Sequence, residues 1–181
     1  MYYYYHYNSP VGKLTIASNE KNIVGLWLDQ QRYHMDILQG KESCEKETEV
    51  IILAEKWLDR YFNNEKPEIG GLPIEFIGSD FRKRVWEILV EIPYGKVITY
   101  GEIAKQIADE KGIKVMSAQA VGGAVGRNPI SIIVPCHRVL GVKGNLTGYS
   151  GGIAVKAKLL THEGVDMSEI FVQGVSSRPV R

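Results

Sequence analysis

Apolar and polar positions alternate at the start of the chain and then change to a three-to-four spacing, and that change marks out the elements. Residues 2–7, 13–18 and 23–28 are β-prone runs separated by Asn8-Ser9-Pro10-Val11-Gly12 and by residues 19–22, which predicts an antiparallel meander. The successive tyrosines from Tyr2 to Tyr5 suit a half-buried pleated surface and are read as structural. From about Glu45 to Phe62, Val50, Leu53, Trp57 and Tyr61 follow the period of an amphipathic helix that packs on the sheet. Turn signals at Asn63-Asn64-Glu65-Lys66-Pro67 and Gly70-Gly71-Leu72-Pro73 follow, and the composition changes after residue 77. A domain boundary is placed near residue 78, giving an N-terminal domain over 1–78.

Beyond it, Ser79 is an N-cap candidate for a helix with Phe81, Val85, Ile88 or Leu89, and Ile92 on one face, ended by Pro93-Tyr94-Gly95. Residues 96–100 form a short β-branched segment. Thr99-Tyr100-Gly101-Glu102 has capping-box spacing and opens a second helix, which breaks at Lys111-Gly112. Ser117 caps a third, residues 118–126, where Ala120, Gly122, Gly123 and Ala124 build little core but permit close approach to a partner. The pair is either a helix-turn-helix or two packed helices without a ligand. Asn128-Pro129 interrupts the helix, residues 130–134 read as a buried extended run, and the run ends in Pro135-Cys136-His137-Arg138. A loop over 141–148 leads to Tyr149-Ser150-Gly151-Gly152 and a final helix carrying Ile153, Ala157 and Leu160, ending around His162-Glu163-Gly164. Residues 79–164 make the second domain, and 165–181, which lack a period, are read as a loosely packed tail.

Composition adds one point that the pattern does not contain. The formal net charge of +1 hides two opposite halves. Residues 1–80 carry 8 Lys+Arg against 13 Asp+Glu, whereas residues 81–181 carry 14 against 8. Residues 111–162 hold seven cations (Lys111, Lys114, Arg127, Arg138, Lys143, Lys156 and Lys158) and no acid, a stretch suited either to a polyanion or to an ordinary solvated face. No apolar run is long enough to span a bilayer and the first residues lack the order of a signal peptide, so a cytoplasmic location and no membrane partner are expected. Two cysteines are too few for a disulfide framework, and no ligand spacing suggests a metal or other cofactor.

Of those cysteines, Cys44 lies among carboxylates that disfavour a thiolate. Cys136 closes an apolar run, adjoins His137 and Arg138 and lies in the acid-free stretch, where a lowered thiol pKa and a nucleophilic role are expected. Neighbours on an extended chain point to opposite sides, so His137 needs a bend or a bridging water to reach the sulfur. Glu163, the first acid after residue 110, is the candidate to orient His137.

Pro135-Cys136-His137-Arg138-Val139, together with Ala120-Val121-Gly122-Gly123-Ala124, Asn128-Pro129, Tyr149-Ser150-Gly151-Gly152 and Leu159-Leu160-x-x-Glu163-Gly164, resembles the O6-alkylguanine-DNA alkyltransferase family. The match runs in order from about Phe81 to Gly164, with a looser fit at Ser9-Pro10-Val11-Gly12. The resemblance implies an α+β protein: an N-terminal α/β domain with an antiparallel sheet and helix, and a C-terminal winged helix-turn-helix domain. It implies a partner, double-stranded DNA containing alkylated guanine, whose damaged nucleotide is rotated into a pocket, and a protein that acts once and as a monomer.

Residue by residue, the resemblance makes Cys136 the alkyl acceptor, His137 its base through a water, and Glu163 the holder of the histidine. Tyr100 serves the departing guanine, and Asn128 ties the recognition helix to the active-site strand. Tyr149, Ser150 and Gly151 line the base pocket, and the backbone at Cys136 and Val139 reads the base edge. Ala118, Gln119, Ala120, Gly122, Gly123 and Arg127 form the DNA-facing helix and its end. Two departures stand out: Gln119 occupies a position where many members carry arginine, and the N-terminal cysteines with which some members bind zinc are absent. The competing readings are a noncatalytic lesion binder, a helix-turn-helix regulator with a sensor cysteine, and a thiol hydrolase, which would need an oxyanion site.

Overall fold

The computed structural model describes residues 1–172. Strands β1 (Tyr2–Ser9), β2 (Gly12–Ser18) and β3 (Ile23–Leu28) form the expected meander, with Tyr5 opposite Ile16 and Ile16 opposite Leu26. The alternation of β1 sends Tyr3, Tyr5 and Tyr7 against the main core and Tyr2 and Tyr4 against a smaller cluster around Trp27 on the opposite face. A fourth strand, β4 (Ser43–Glu45), pairs parallel to β1 and gives the order β3-β2-β1-β4.

That strand corrects the predicted start of the first helix. Residues 43–45 are extended and Cys44 is exposed on the sheet edge. Helix α1 runs Glu49–Phe62, because the Thr48 side chain caps it by accepting from the Ile51 amide. Its apolar face, including Ile51, Ala54, Leu58 and Tyr61, is buried against the sheet.

In the second half, α2 (Asp80–Val90), α3 (Tyr100–Lys111) and α4 (Ala118–Gly126) begin at the predicted caps Ser79, Thr99 and Ser117. The Thr99–Glu102 capping box is complete, and Gly112 closes α3 in the left-handed conformation that the turn into α4 requires. Small residues let α4 lie close on its neighbours: Trp86 Nε1 of α2 donates to the Ala124 carbonyl at 2.8 Å, with Val121, Ala124 and Val125 buried. Two short strands, β5 (Ile98–Thr99) and β6 (Val139–Leu140), pair in parallel, and α5 (Ile153–His162) packs beneath them. One continuous core joins the meander, α1 and α2 to the turn that carries Cys136.

Two further expectations give way. Residues 130–134 are fully buried but form a turn, not an extended run. Ser131 donates its amide to Leu26, Val134 donates back to Ile130 at 3.0 Å, and Ile132 holds a positive φ of 69° that a β-branched residue adopts only under tertiary constraint. Residues 165–172 are not loose: Ile170 is buried in a cluster with Leu140, Leu146 and Leu160, and the Leu146 amide donates to the Phe171 carbonyl at 2.6 Å. The rest of the predicted tail, 173–181, lies outside the described residues.

Because the Thr99 side chain satisfies the Glu102 amide while Glu102 returns a bond to the Thr99 amide, Thr99→Ala is expected to lower unfolding free energy by about 1 kcal/mol, read as a reduced urea midpoint at unchanged slope.

Candidate active site

Asn128 builds the turn that presents the sulfur. Its amide nitrogen donates to the Val134 carbonyl at 2.9 Å and the Ile130 carbonyl at 3.3 Å, while its oxygen accepts from the Ile130 amide at 3.1 Å. One buried side chain thus stands in for ladder partners that a strand would have supplied. The chain leaves this turn through Pro135 into a single 3₁₀ turn, Cys136–Arg138. That bend replaces the extended geometry expected for Cys136 and His137.

His137 and Arg138 both reach Glu163 at the end of α5. His137 Nε2 lies 2.6 Å from Glu163 Oε1, and Arg138 donates through Nε to Oε2 at 2.8 Å and through Nη2 to Oε1 at 3.0 Å. The Gly95 amide, in the turn after α2, donates to Oε2 at 3.1 Å. Tyr61, from α1, donates its hydroxyl to Oε1 at 2.8 Å. Burial alone would raise the Glu163 pKa, but the hydrogen bonds and charges of His137 and Arg138 outweigh it and hold the carboxyl well below its usual range. An ionised carboxylate accepts, so His137 carries its proton on Nε2 and presents the Nδ1 lone pair. Nδ1 is buried and makes no hydrogen bond to any described residue. Burial lowers the His137 pKa, against the pull of Glu163, so the ring is neutral near pH 7.

The Cys136 thiol, 2% exposed, departs from the expected thiolate-favouring environment. Burial raises its pKa, and the Asn128 hydrogen bond, the Lys156 charge and nearby backbone amides oppose that without reversing it. The acid-free stretch therefore does not leave a resting thiolate. Lys156 is fully buried, donates to the Val139 carbonyl at 2.6 Å and the Thr147 carbonyl at 2.8 Å, and is lowered by burial to about 8. The Tyr100 hydroxyl donates to the carbonyls of Thr147 at 3.3 Å and Gly148 at 3.2 Å, and burial and the neighbouring Cys136 raise its pKa to about 12. Gly148 is required there: its φ is 64°, and a Cβ would lie 3.0 Å from the Tyr100 oxygen.

Two clefts share Gly122 of α4 and Gly148 in their walls. One, about 350 Å³, is lined by Gly122, Gly123, Gly126, Tyr149 and Ser150, with Arg32 and Tyr33 from the N-terminal half. The other, about 550 Å³ and mainly apolar, lies between Tyr100, Ala118, Gln119 and the loop at Val142 and Thr147. Cys136 lines neither cleft, but its thiol interacts electrostatically with Tyr149, which lines the first, and with Tyr100, which lines the second. Ala118, Gln119, Ala120 and Gly123 are exposed on α4. Arg127 is committed elsewhere: its guanidinium sits 3.6 Å from the centre of the Tyr33 ring and 3.4 Å from Asp36. The Val139 amide is bonded to the Cys136 carbonyl and the Cys136 amide to Val134, so neither donor of the predicted base-reading backbone is unengaged.

Comparison with known proteins gives this geometry a family. Residues 2–76 match the ribonuclease-like domain, and residues 80–165 the DNA binding domain, of 6-O-methylguanine DNA methyltransferase. The methylated-DNA–protein-cysteine methyltransferase of Haemophilus influenzae is 40% identical over 161 residues, covering 89% of this chain and 86% of that protein. The enzyme of the same name from Methanosarcina acetivorans is 38% identical, with coverage of 90% and 98%. The Mycobacterium tuberculosis protein OGT in complex with DNA superimposes with a TM-score of 0.75 at 39% identity, covering 89% of this chain and 92% of that one. The chain belongs to the methylated-DNA–protein-cysteine methyltransferase family.

For a methyltransferase of this family, the structure links the predicted residues pairwise: His137 bonds Glu163, Asn128 bonds the Val134 carbonyl and the Cys136 thiol, and Tyr100 and Tyr149 interact electrostatically with that thiol, with Tyr149 and Ser150 lining the adjacent cleft. Gly151 packs outside them, where a Cβ would meet Leu28 and the Tyr149 ring. Arg138, Lys156 and Tyr61 were missed as site residues. In the sequence Arg138 is a positive neighbour of Cys136 and Lys156 only one cation of the acid-free stretch; the burial of both cations and their bonds, to Glu163 and to the Val139 and Thr147 carbonyls, appear only in the fold.

Replacing Glu163 with Gln leaves the Arg138 guanidinium buried without its carboxylate, an expected loss of about 3–5 kcal/mol at pH 7 by urea denaturation. The carboxyl pKa is lower folded than unfolded, so its contribution is full above the ordinary value of 4.5 and vanishes as pH falls through the folded value. The gap between wild type and Glu163→Gln is therefore expected to close on acidification.

Proposed function

We propose that this chain repairs alkylated DNA by direct reversal, moving a methyl or other alkyl group from guanine O6 to Cys136, once per molecule. The observation that carries the reading is the buried Cys136–His137–Glu163 constellation beside the small-residue helix α4. α4 would dock on duplex DNA, and the damaged nucleotide would rotate between α4 and the loop carrying Tyr149 and Ser150. His137 Nδ1 takes the thiol proton through a water, and Glu163 steadies the resulting imidazolium. The thiolate attacks the alkyl carbon, a C–S bond forms, the C–O6 bond breaks, and the electron pair stays on the guanine oxygen. Tyr100, released from Thr147 and Gly148, hydrogen-bonds the departing guanine. Lys156 favours the thiolate by its charge.

The need for a base follows from burial. A thiol raised above its ordinary value is a poor nucleophile until its proton has somewhere to go, and a neutral His137 is ready to take it. A thioether has no activated leaving group, so the reaction is stoichiometric. No helix among the described residues is long and apolar enough to cross a membrane. We place the protein in the cytoplasm as a monomer.

Intact-mass analysis after incubation with duplex DNA containing O6-methylguanine is expected to show one methyl group, on the peptide that holds Cys136, and none on Cys136→Ala. Absence of any adduct at equimolar protein would leave a lesion binder or a regulator, and repeated turnover would point to a hydrolase. Gln119→Arg is expected to tighten binding to lesion DNA and speed transfer, by supplying charge and a planar fork where the neutral amide now sits. Unchanged affinity and rate in that variant would contradict the role given to this position.

A further inference from the structure

Among the described residues the Glu163 carboxylate accepts five hydrogen bonds, and four of them come from Gly95, His137 and Arg138, in the half of the chain that carries the sulfur. The fifth comes from α1. Tyr61 donates to Oε1, the same oxygen that accepts from His137. The tyrosine is fixed from both sides: its ring stacks on Trp57 at 5.3 Å between centroids, and its carbonyl accepts from His162 Nε2 at 2.8 Å, one residue before Glu163. It is fully buried on the apolar face of α1, where a phenylalanine would fill the same space. Packing therefore explains the ring but not the hydroxyl.

We propose that Tyr61 is a positioning residue of the alkyl-transfer site, whose hydroxyl holds Glu163 Oε1 and sets how strongly that carboxylate pulls on His137. The inference rests on the reading of Cys136 as the alkyl acceptor and adds the N-terminal half to its machinery. Oε1 also accepts from Arg138 Nη2, and an oxygen shared among three donors gives less to each. A neutral phenol disperses the negative charge without adding a charge of its own, so it weakens the attraction for an imidazolium and keeps His137 a free base to lower pH. The other titratable groups facing this pair and Tyr61 are Arg138, Lys156, Cys136, Tyr94, Tyr149 and His162, the last bonded to the Tyr61 carbonyl, a contact that Tyr61→Phe leaves in place. Both tyrosines are raised above their ordinary values and stay neutral, Cys136 is likewise raised, and Lys156 titrates near 8, on the alkaline side. Below neutrality, His137 is the group whose protonation the Tyr61 hydroxyl would govern.

The test is the single-turnover rate of methyl transfer from O6-methylguanine duplex DNA to the full chain, between about pH 5 and 8. Tyr61→Phe is expected to move the acid limb upward by about half a pH unit or more, a roughly threefold loss of rate on the limb, with DNA affinity unchanged. Site-specific 3-fluorotyrosine at position 61 keeps the packing and strengthens the donor, so it should move the limb downward, and it serves if Tyr61→Phe does not fold. A limb that stays in place in a folded variant of either kind, with only thermal stability altered, overturns the proposal. Carbamidomethylation of Cys136 by iodoacetamide over the same range, read on the peptide that holds Cys136 because Cys44 is an exposed thiol, reads the relay without DNA. If wild type transfers no methyl but the carbamidomethylation profile shifts as described, the repair reading falls and the role of Tyr61 stands. If wild type transfers methyl and neither profile shifts, the role of Tyr61 falls alone.

Discussion

A carboxylate buried with five hydrogen-bond donors is the constraint from which the rest of this molecule can be argued. Glu163 is charged in a place where charge is costly, and only a full set of donors makes that tolerable. The donors come from three separate stretches: α1, the turn after α2, and the two residues after Cys136. Meeting the needs of one carboxylate therefore fixes how the meander half, the helix pair and the sulfur-bearing turn meet. It also selects the tautomer of His137, because the nitrogen that faces Glu163 must donate. The orientation of His137 that the proposed proton relay uses is thus set during folding and does not wait for DNA.

The same logic explains what the sequence could and could not disclose. Caps at Ser79, Thr99 and Ser117 and the stop at Gly112 are local, since the residue that satisfies each helix end lies within a few positions of it. They were legible for that reason, and so was the amphipathic face of α1. β4 was not, because three exposed residues have no period and are held only by pairing with β1 across some forty residues. The turn at 130–134 was misread because a run of buried isoleucine and valine looks alike whether extended or folded back. The deciding group is the Asn128 side chain, whose hydrogen bonds replace a ladder. In the site, adjacency in the chain revealed Cys136 and His137, and the first acid downstream revealed Glu163. Tyr61 lies 102 positions from Glu163 and occupies a helix position that apolar packing already accounts for.

Burial of the sulfur sets two demands against each other. At 2% exposure, Cys136 meets oxidants and electrophiles in solution more slowly than a surface thiol would, a useful property in a residue proposed to react only once. The same burial raises its pKa and removes it from solvent. The structure holds the means of reconciling them in a loaded but unused form: a neutral base with an unengaged Nδ1, a buried lysine that favours the anion, and a tyrosine whose hydroxyl is held by two carbonyls at hydrogen-bond lengths above 3 Å. In the proposed reaction, a guanine entering beside Gly148 exchanges with those carbonyls for the Tyr100 hydroxyl, so activation accompanies substrate entry.

The charge of the second half also reads differently once the side chains are placed. Of the seven cations in the acid-free stretch, Arg138 and Lys156 are buried at the site, and Arg127 is stacked on Tyr33 and paired with Asp36. Lys111, Lys114, Lys143 and Lys158 remain exposed, so four of the seven are left to meet a phosphate backbone. What α4 offers instead is access. Ala118, Ala120, Gly122 and Gly123 carry almost no side chain, so the helix backbone itself can approach a groove, and the exposed Gln119 is the longest side chain on that face. Recognition on these terms depends on shape and on how readily a damaged pair opens, which suits a protein that must find a lesion in any sequence.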